Sequence, residues 1–185
     1  VTYDVTMPFI RMVAGPLDYT QGAMSNANRE NFQSVYSEPM SQGTRCRQLA
    51  EYIIFDSPVN MLCDSPSKYL EEEECTKFIA GIPTVWDESL PLKGEVGKYI
   101  AMARQKDDIW YVGALTDWDA RDMGLDLSFL GEGRYKAEIF EDGMNADRVG
   151  KDYKRKTISV PKNRKINIHM APGGGFIMRI GPVRN

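Results

Sequence analysis

At 185 residues, with 42% hydrophobic and 26% charged residues, the chain has the make-up of a globular protein with room for one large domain or two small ones. A net charge of −3 with scattered lysines and arginines argues against a nucleic-acid partner, and no apolar run approaches the ~20 residues of a membrane span. The three cysteines (Cys46, Cys63 and Cys75) have neither CxxC spacing nor neighbouring histidines, which argues against a zinc site.

In chain order, Val5, Phe9, Met12 and Val13 share one face, predicting the end of a helix over residues 4–13 capped by Asp4 or Thr6. Val13–Leu17 predicts a short buried strand leading into the polar loop Asp18–Gly22. Ser25–Gly43 is polar and aperiodic, a long excursion of the kind that often carries function. Thr44–Phe55 then predicts a helix with Cys46, Leu49, Ala50, Ile53 and Ile54 on its apolar face and Arg45, Arg47 and Glu51 off it. Val59–Cys63 predicts a second strand. Ser65 as N-cap and Pro66 at the first helical position open a second helix running to about Ile82, with Cys75, Phe78, Ile79 and Ile82 inward. Glu71–Glu74 reads as a solvated acidic stretch in that helix, and Cys46 and Cys75 as buried free thiols. Two strand–loop–helix units cannot close a parallel sheet or barrel, so this region is expected to be the tail of something larger.

After Pro83 the hydrophobic period changes to two. Strands are predicted at Tyr99–Arg104, Ile109–Leu115, Leu125–Phe129, Tyr135–Phe140, Thr157–Val160, Lys165–Met170 and Phe176–Ile180. Short strands with Gly- and Asp-rich turns predict an antiparallel sandwich. The change of grammar near Ser89–Val96 divides the chain into residues 1–90 and 91–185. The expected fold class is therefore α/β plus all-β.

Chemistry in a β/α barrel sits in the loops at the carboxyl ends of the strands, which here means Asp18, Tyr19 and Gln21 after the first strand and Asp64 after the second. A carboxylate beside a phenol suits sugar hydroxyls, whereas Asp18 as a turn starter and Asp64 as a helix opener are the ordinary structural uses. Asp18 and Asp64 are candidates for the carboxylate pair of glycoside hydrolysis, with Asp56, Asp87 and Glu88 competing. The single histidine, His169, has no partner for a catalytic dyad, and Gly173–Gly175 reads as a turn. Trp86 suits packing between the two parts better than a sugar platform. Trp110, Tyr111 and Trp118 suit core positions better than a carbohydrate surface.

Several strings resemble glycoside hydrolase family 97. Met12–Gly22 is similar to that family's GPxDYTPG stretch, with Gln21 where proline is common. Ser57–Pro66 resembles its last barrel strand, Pro83–Ser89 its PxxWDET exit, and Trp110–Asp117 and Ala171–Gly175 its C-terminal sandwich. The resemblance spans essentially the whole chain in order. It implies the last two units of a (β/α)8 barrel followed by a sandwich domain, within an exo-acting α-glycosidase that is periplasmic or secreted. Such enzymes release terminal α-linked glucose or galactose from oligosaccharides, some inverting with a calcium ion and some retaining through a carboxylate nucleophile. The resemblance places the leaving-group acid just before the segment matching Thr6–Phe9, and the other catalytic carboxylates and calcium ligands earlier still. On that basis this chain holds no catalytic residue, and its expected substrate-binding residues are Asp18, Tyr19, Gln21 and Asp64. It is expected to be inactive alone, and to self-associate or require the missing N-terminal part of the enzyme. Glu38–Ala50 leans toward the retaining, galactosidase-like members. The rival readings are a carbohydrate-binding module and a purely structural sandwich.

Overall fold

The protein is described by a computed structural model over residues 1–184. Its first part holds α1 (Met7–Ile10), β1 (Tyr19–Gln21), β2 (Asn26–Ala27), β3 (Ser41–Gln42), α2 (Arg45–Ile54), β4 (Asn60–Leu62), α3 (Pro66–Glu71) and α4 (Glu73–Ala80). The strands β5 (Glu88–Glu95), β6 (Tyr99–Lys106), β7 (Ile109–Thr116), β8 (Arg121–Asp126), β9 (Tyr135–Asp142), β10 (Tyr153–Ser159), β11 (Lys165–Met170) and β12 (Gly175–Pro182) follow. Six of these form one antiparallel sheet in the order β10-β9-β12-β7-β6-β5, and β8 pairs with β11. The arrangement is mostly β and sandwich-like, with few helices.

At its centre, along β7 and β12, the large sheet is buried on both faces, while its outer strands β5 and β10 are mostly exposed. Trp110, Val112 and Ala114 of β7 and Phe176, Met178 and Ile180 of β12 face the β8/β11 layer, with Leu125, Leu127 and Met170. The alternate residues Tyr111, Leu115 and Ile177 face Leu49, Ile53, Cys75 and Phe78 of the helices. Burial on both faces explains why Phe176–Ile180 reads as a continuous apolar run. Gly113 lies directly under α2. A Cβ there would be 2.9 Å from Ile53 Cβ and 3.0 Å from the Ala50 carbonyl oxygen, so the missing side chain lets the helix approach.

Helix α2 matches its expectation, with the Thr44 hydroxyl capping it by accepting from Arg47 N at 3.1 Å. What surrounds it does not match. All ten residues are buried, Arg45, Arg47 and Glu51 included, because the sheet covers one side and the first part of the chain wraps the other.

Other boundaries shift for identifiable reasons. Val13–Leu17 is not a strand. Met12–Ala14 form a 3₁₀ turn, Val13 is 79% exposed, and Gly15 at φ 122° followed by Pro16 breaks extension, so β1 begins at Tyr19. Asp18–Gly22 is consequently strand and strand edge rather than loop. Glu72, at φ −110° and ψ 48°, divides the second helix into α3 and α4. The stretch 88–95, read as a connector, is strand β5. β8 ends at Asp126, where the expected strand had only begun. All three cysteines are free.

Candidate functional site

The parallel pair β1/β4 aligns Tyr19 with Asn60, Thr20 with Met61 and Gln21 with Leu62, and α2 connects the two strands. Beside their ends lies a cavity of about 370 Å³ whose lining includes Asp4, Tyr19, Gln48, Glu51, Met40 and Asp64. The 25–43 excursion supplies one wall, with Phe32, Pro39, Met40, Ser41 and Gln42.

Arg47 organises the cavity floor. Its Nε and Nη2 donate to Asp4 Oδ2 at 3.1 and 2.8 Å, Nη1 donates to the Thr116 carbonyl at 2.7 Å, and Nε lies 3.4 Å from Glu51 Oε1. Tyr19 donates its hydroxyl to Asp4 Oδ1 at 3.0 Å. Gln48 donates to Glu51 Oε2 at 3.0 Å, while its own Oε1 accepts the Gly22 and Ala23 amides at 2.9 and 3.2 Å. This chain of bonds joins the sandwich, through Thr116, to the backbone that follows β1.

The carboxyls respond in opposite directions. Burial pushes Asp4 up, but the charges of Arg47 and of the Val1 ammonium, with hydrogen bonds from Arg47 and Tyr19, outweigh burial and hold Asp4 below the usual carboxylate range. Glu51 is pushed up to about 8, first by burial and then by the negative charge of Asp4, with Arg47 opposing. Burial, followed by the charges of Glu51 and Asp4, raises the Tyr19 phenol well above its ordinary value, so it stays a donor.

The four sequence-derived residues separate. Tyr19 and Asp64 line the cavity together. Asp64 accepts Met24 N and Ser65 N, both at 2.9 Å, and so clips the loop after β1 to the start of α3. Gln21 is buried beneath the strands, where its amide donates to Asn60 Oδ1 at 2.7 Å. Asp18 is exposed and is not among the cavity-lining side chains. Asp4, Gln48 and Glu51 escaped sequence reasoning, which took Asp4 as a helix cap and Glu51 as off the helix's apolar face. The i,i+4 spacing of Arg47 and Glu51 was the signal available. Every oxygen of Asp4, Glu51 and Asp64 already accepts from or faces a protein donor, which suits groups that shape a polar pocket and offer spare lone pairs to hydroxyls.

Of the aromatics weighed as carbohydrate contacts, Trp110 and Tyr111 are buried, and the Trp86 ring packs 5.3 Å edge-on to Tyr111. Trp118 is half-buried rather than in the core, with its ring against Gly173. A wider groove of about 970 Å³ runs over β8 and β11, where His169 Nδ1 pairs with Asp122 at 2.8 Å. Among the described residues no Phe, Tyr or Trp lines it, so it lacks the large aromatic face on which sugars stack.

A family model described as the glycosyl-hydrolase 97 C-terminal domain, oligomerisation, matches residues 85–181. A retaining alpha-galactosidase from Bacteroides thetaiotaomicron is 60% identical over 180 residues, covering 97% of this chain and 27% of the relative. A probable retaining alpha-galactosidase from Streptomyces bingchenggensis is 27% identical over 138 residues, covering 75% of this chain and 20% of the relative. Among solved structures, a glycoside hydrolase family 97 enzyme from Pseudoalteromonas sp. strain K8, in complex with panose, superposes with a TM-score of 0.88. It is 31% identical and covers 99% of this chain and 29% of that one. The chain thus spans between a fifth and a third of the length of the relatives it matches.

Proposed function

The chain belongs to glycoside hydrolase family 97, and from that membership we propose that it is the C-terminal portion of a retaining, exo-acting α-galactosidase. The 60% identity to a retaining alpha-galactosidase across 97% of the chain carries this reading. The substrate is an oligosaccharide ending in α-linked galactose. The cavity beside β1 and β4 binds part of it, with Tyr19 and Asp64 in its lining, Gln21 supporting the strands and Asp18 at the outer rim. The catalytic carboxylates lie N-terminal to this portion in the whole enzyme, which is periplasmic or secreted.

Residues 1–90 are, in this proposal, the last two units of a (β/α)8 barrel, and 91–185 the sandwich that supports it. The parallel β1/β4 pair with α2 between its strands favours this division, as do the exposed Val59, Met61 and Leu62. The remainder of the barrel would cover these side chains, and without it the portion would self-associate through them. The sandwich serves a structural role, since Trp110 and Tyr111 are spent on packing. Among the described residues no three His, Cys, Asp or Glu side chains converge on a common point, and Asp4 and Asp64 are engaged by Arg47 and backbone amides. These residues do not fit a calcium ion. In this proposal any calcium ion of the whole enzyme takes its ligands from outside this chain.

The purified chain is expected to leave nitrophenyl α-galactoside and nitrophenyl α-glucoside intact, whereas the whole enzyme containing it hydrolyses the galactoside with retention. Turnover by the chain alone, or inversion by the whole enzyme, would sink the proposal.

A further inference from the structure

Three glycines from three parts of the chain meet at one point. Gly43 closes the 25–43 excursion at φ 93°, and a Cβ on it would overlap the Gly173 carbonyl oxygen. Gly150, in the β9–β10 connection, is buried, and a Cβ there would lie 2.8 Å from the carbonyl oxygens of both Asn26 and Gly43. Gly173, at φ 67°, has room for no side chain because a Cβ would lie 2.6 Å from the Trp118 ring. Hydrogen bonds tie the same junction. Arg45 N donates to the Gly150 carbonyl at 2.6 Å, Thr44 N to the Gly173 carbonyl at 3.1 Å, and Asn28 Nδ2 to the Asp147 carbonyl at 3.0 Å.

Two sandwich loops therefore grip both ends of the excursion, at Asn26–Asn28 and at Gly43. Between those ends the excursion's own bonds are mostly local: Asn28 accepts Asn31 N and Phe32 N at 2.8 and 3.1 Å, and Met40 Sδ accepts Gln33 N at 3.4 Å. Beyond the two-residue pairing of β2 with β3, it turns Tyr36 fully to solvent while Phe32, Pro39 and Met40 line the cavity. Local bonds shape such a segment, but its placement over the cavity depends on where its ends are fixed.

We propose that the β9–β10 connection, residues 143–152, is a positioning element of the sugar cavity, in which the close approach of Gly150 sets the excursion that forms the cavity wall. The sugar part of this inference rests on the galactosidase reading; the clamp does not. It gives the sandwich a part in substrate binding although it touches no sugar.

Gly150→Ala tests it. Amide hydrogen exchange in the chain is expected to rise about tenfold at Ser41 and Gly43, which bond within the excursion, and to stay level at Ile168 and Met170 in β11. In the whole enzyme containing this chain, KM for nitrophenyl α-galactoside should rise about tenfold with kcat affected far less. Leu127→Ala, in the layer remote from α2, should lower the melting temperature without moving KM, which separates positioning from stability. If Gly150→Ala fails to fold, Asn28→Asp, which keeps the Oδ1 that accepts Asn31 N at 2.8 Å and removes the Nδ2 donation to the Asp147 carbonyl, should give the same KM split at about threefold. Unchanged exchange at Ser41 and Gly43 overturns the clamp. Raised exchange with unchanged KM overturns its role in binding. A wild-type enzyme without galactoside turnover overturns the galactosidase reading instead, and the clamp then stands or falls on exchange.

Discussion

Helix α2 and strand β4 depart from the usual inside–outside rule in opposite directions. The helix takes Arg45, Arg47, Gln48 and Glu51 into the interior, none more than 7% exposed. The strand leaves Met61 and Leu62 at 48% and 53% exposure. Each buried charge on α2 has its partner in the same chain. Arg45, for instance, reaches Asn26 Oδ1 at 2.6 Å, Glu72 Oε2 at 3.1 Å and the Met24 carbonyl. The exposed apolar groups of β4 have no such cover. A buried charge thus points to a partner within the chain, and an exposed apolar strand points to one outside it.

The sharpest way to break this comparison is to remove the centre of the α2 network. Arg47→Met would leave Asp4 with the Val1 ammonium at 3.3 Å as its remaining cation and strip Glu51 of the guanidinium at 3.4 Å, and should cost about 3–5 kcal/mol in urea unfolding. A loss no larger than an ordinary surface change would show that the network is dispensable. Next comes pH. Because the folded value of Glu51, about 8, lies above its ordinary 4.5, the folded chain binds the extra proton between those values. Its contribution is therefore complete below the ordinary value and is lost as pH rises through about 8, with a slope of at most about 1.4 kcal/mol per pH unit. Asp4, held below its ordinary value, contributes in the opposite sense and loses its share only as pH falls into the acid range. Glu51→Gln should flatten the decline from mildly acidic to mildly alkaline pH in a series of melts, and an unaltered decline would place its cause elsewhere. The smallest expected effect is at β4. Met61→Lys should change unfolding of the chain by no more than about 0.5 kcal/mol, yet reduce its self-association in sedimentation. If self-association persists, some other surface drives it.

The two regions also differed in how far they could be read from sequence. The helix and its apolar face were legible because they depend on local spacing. The burial of Arg47 was not, since its partners Asp4 and Thr116 lie 43 and 69 residues away. Strands β11 and β12 were found from alternation or apolar runs, while β1 was misplaced because Leu17 is buried without being in a strand; its amide donates to the Asp56 carbonyl at 2.9 Å. At the candidate site, Tyr19 and Asp64 followed from strand-end reasoning. Asp4, Gln48 and Glu51 did not, because they enter the cavity from a helix and a turn whose outward faces look solvated until the rest of the chain is wrapped around them.

Strand β5 lies where the change of grammar near Ser89–Val96 divides the sequence, and its Pro91 and Gly94 have a use at the rim of the sheet. β5 pairs only with β6, and the register shifts between Pro91 and Lys93. The ring of Phe9 lies against Gly94, with its Cζ 2.6 Å from where a Cβ would stand. An open strand edge offers unpaired amides and carbonyls to any other extended chain, but a proline and a bulge weaken that offer. The residues that look like a hinge in the sequence guard the sheet against aggregation by edge-to-edge pairing.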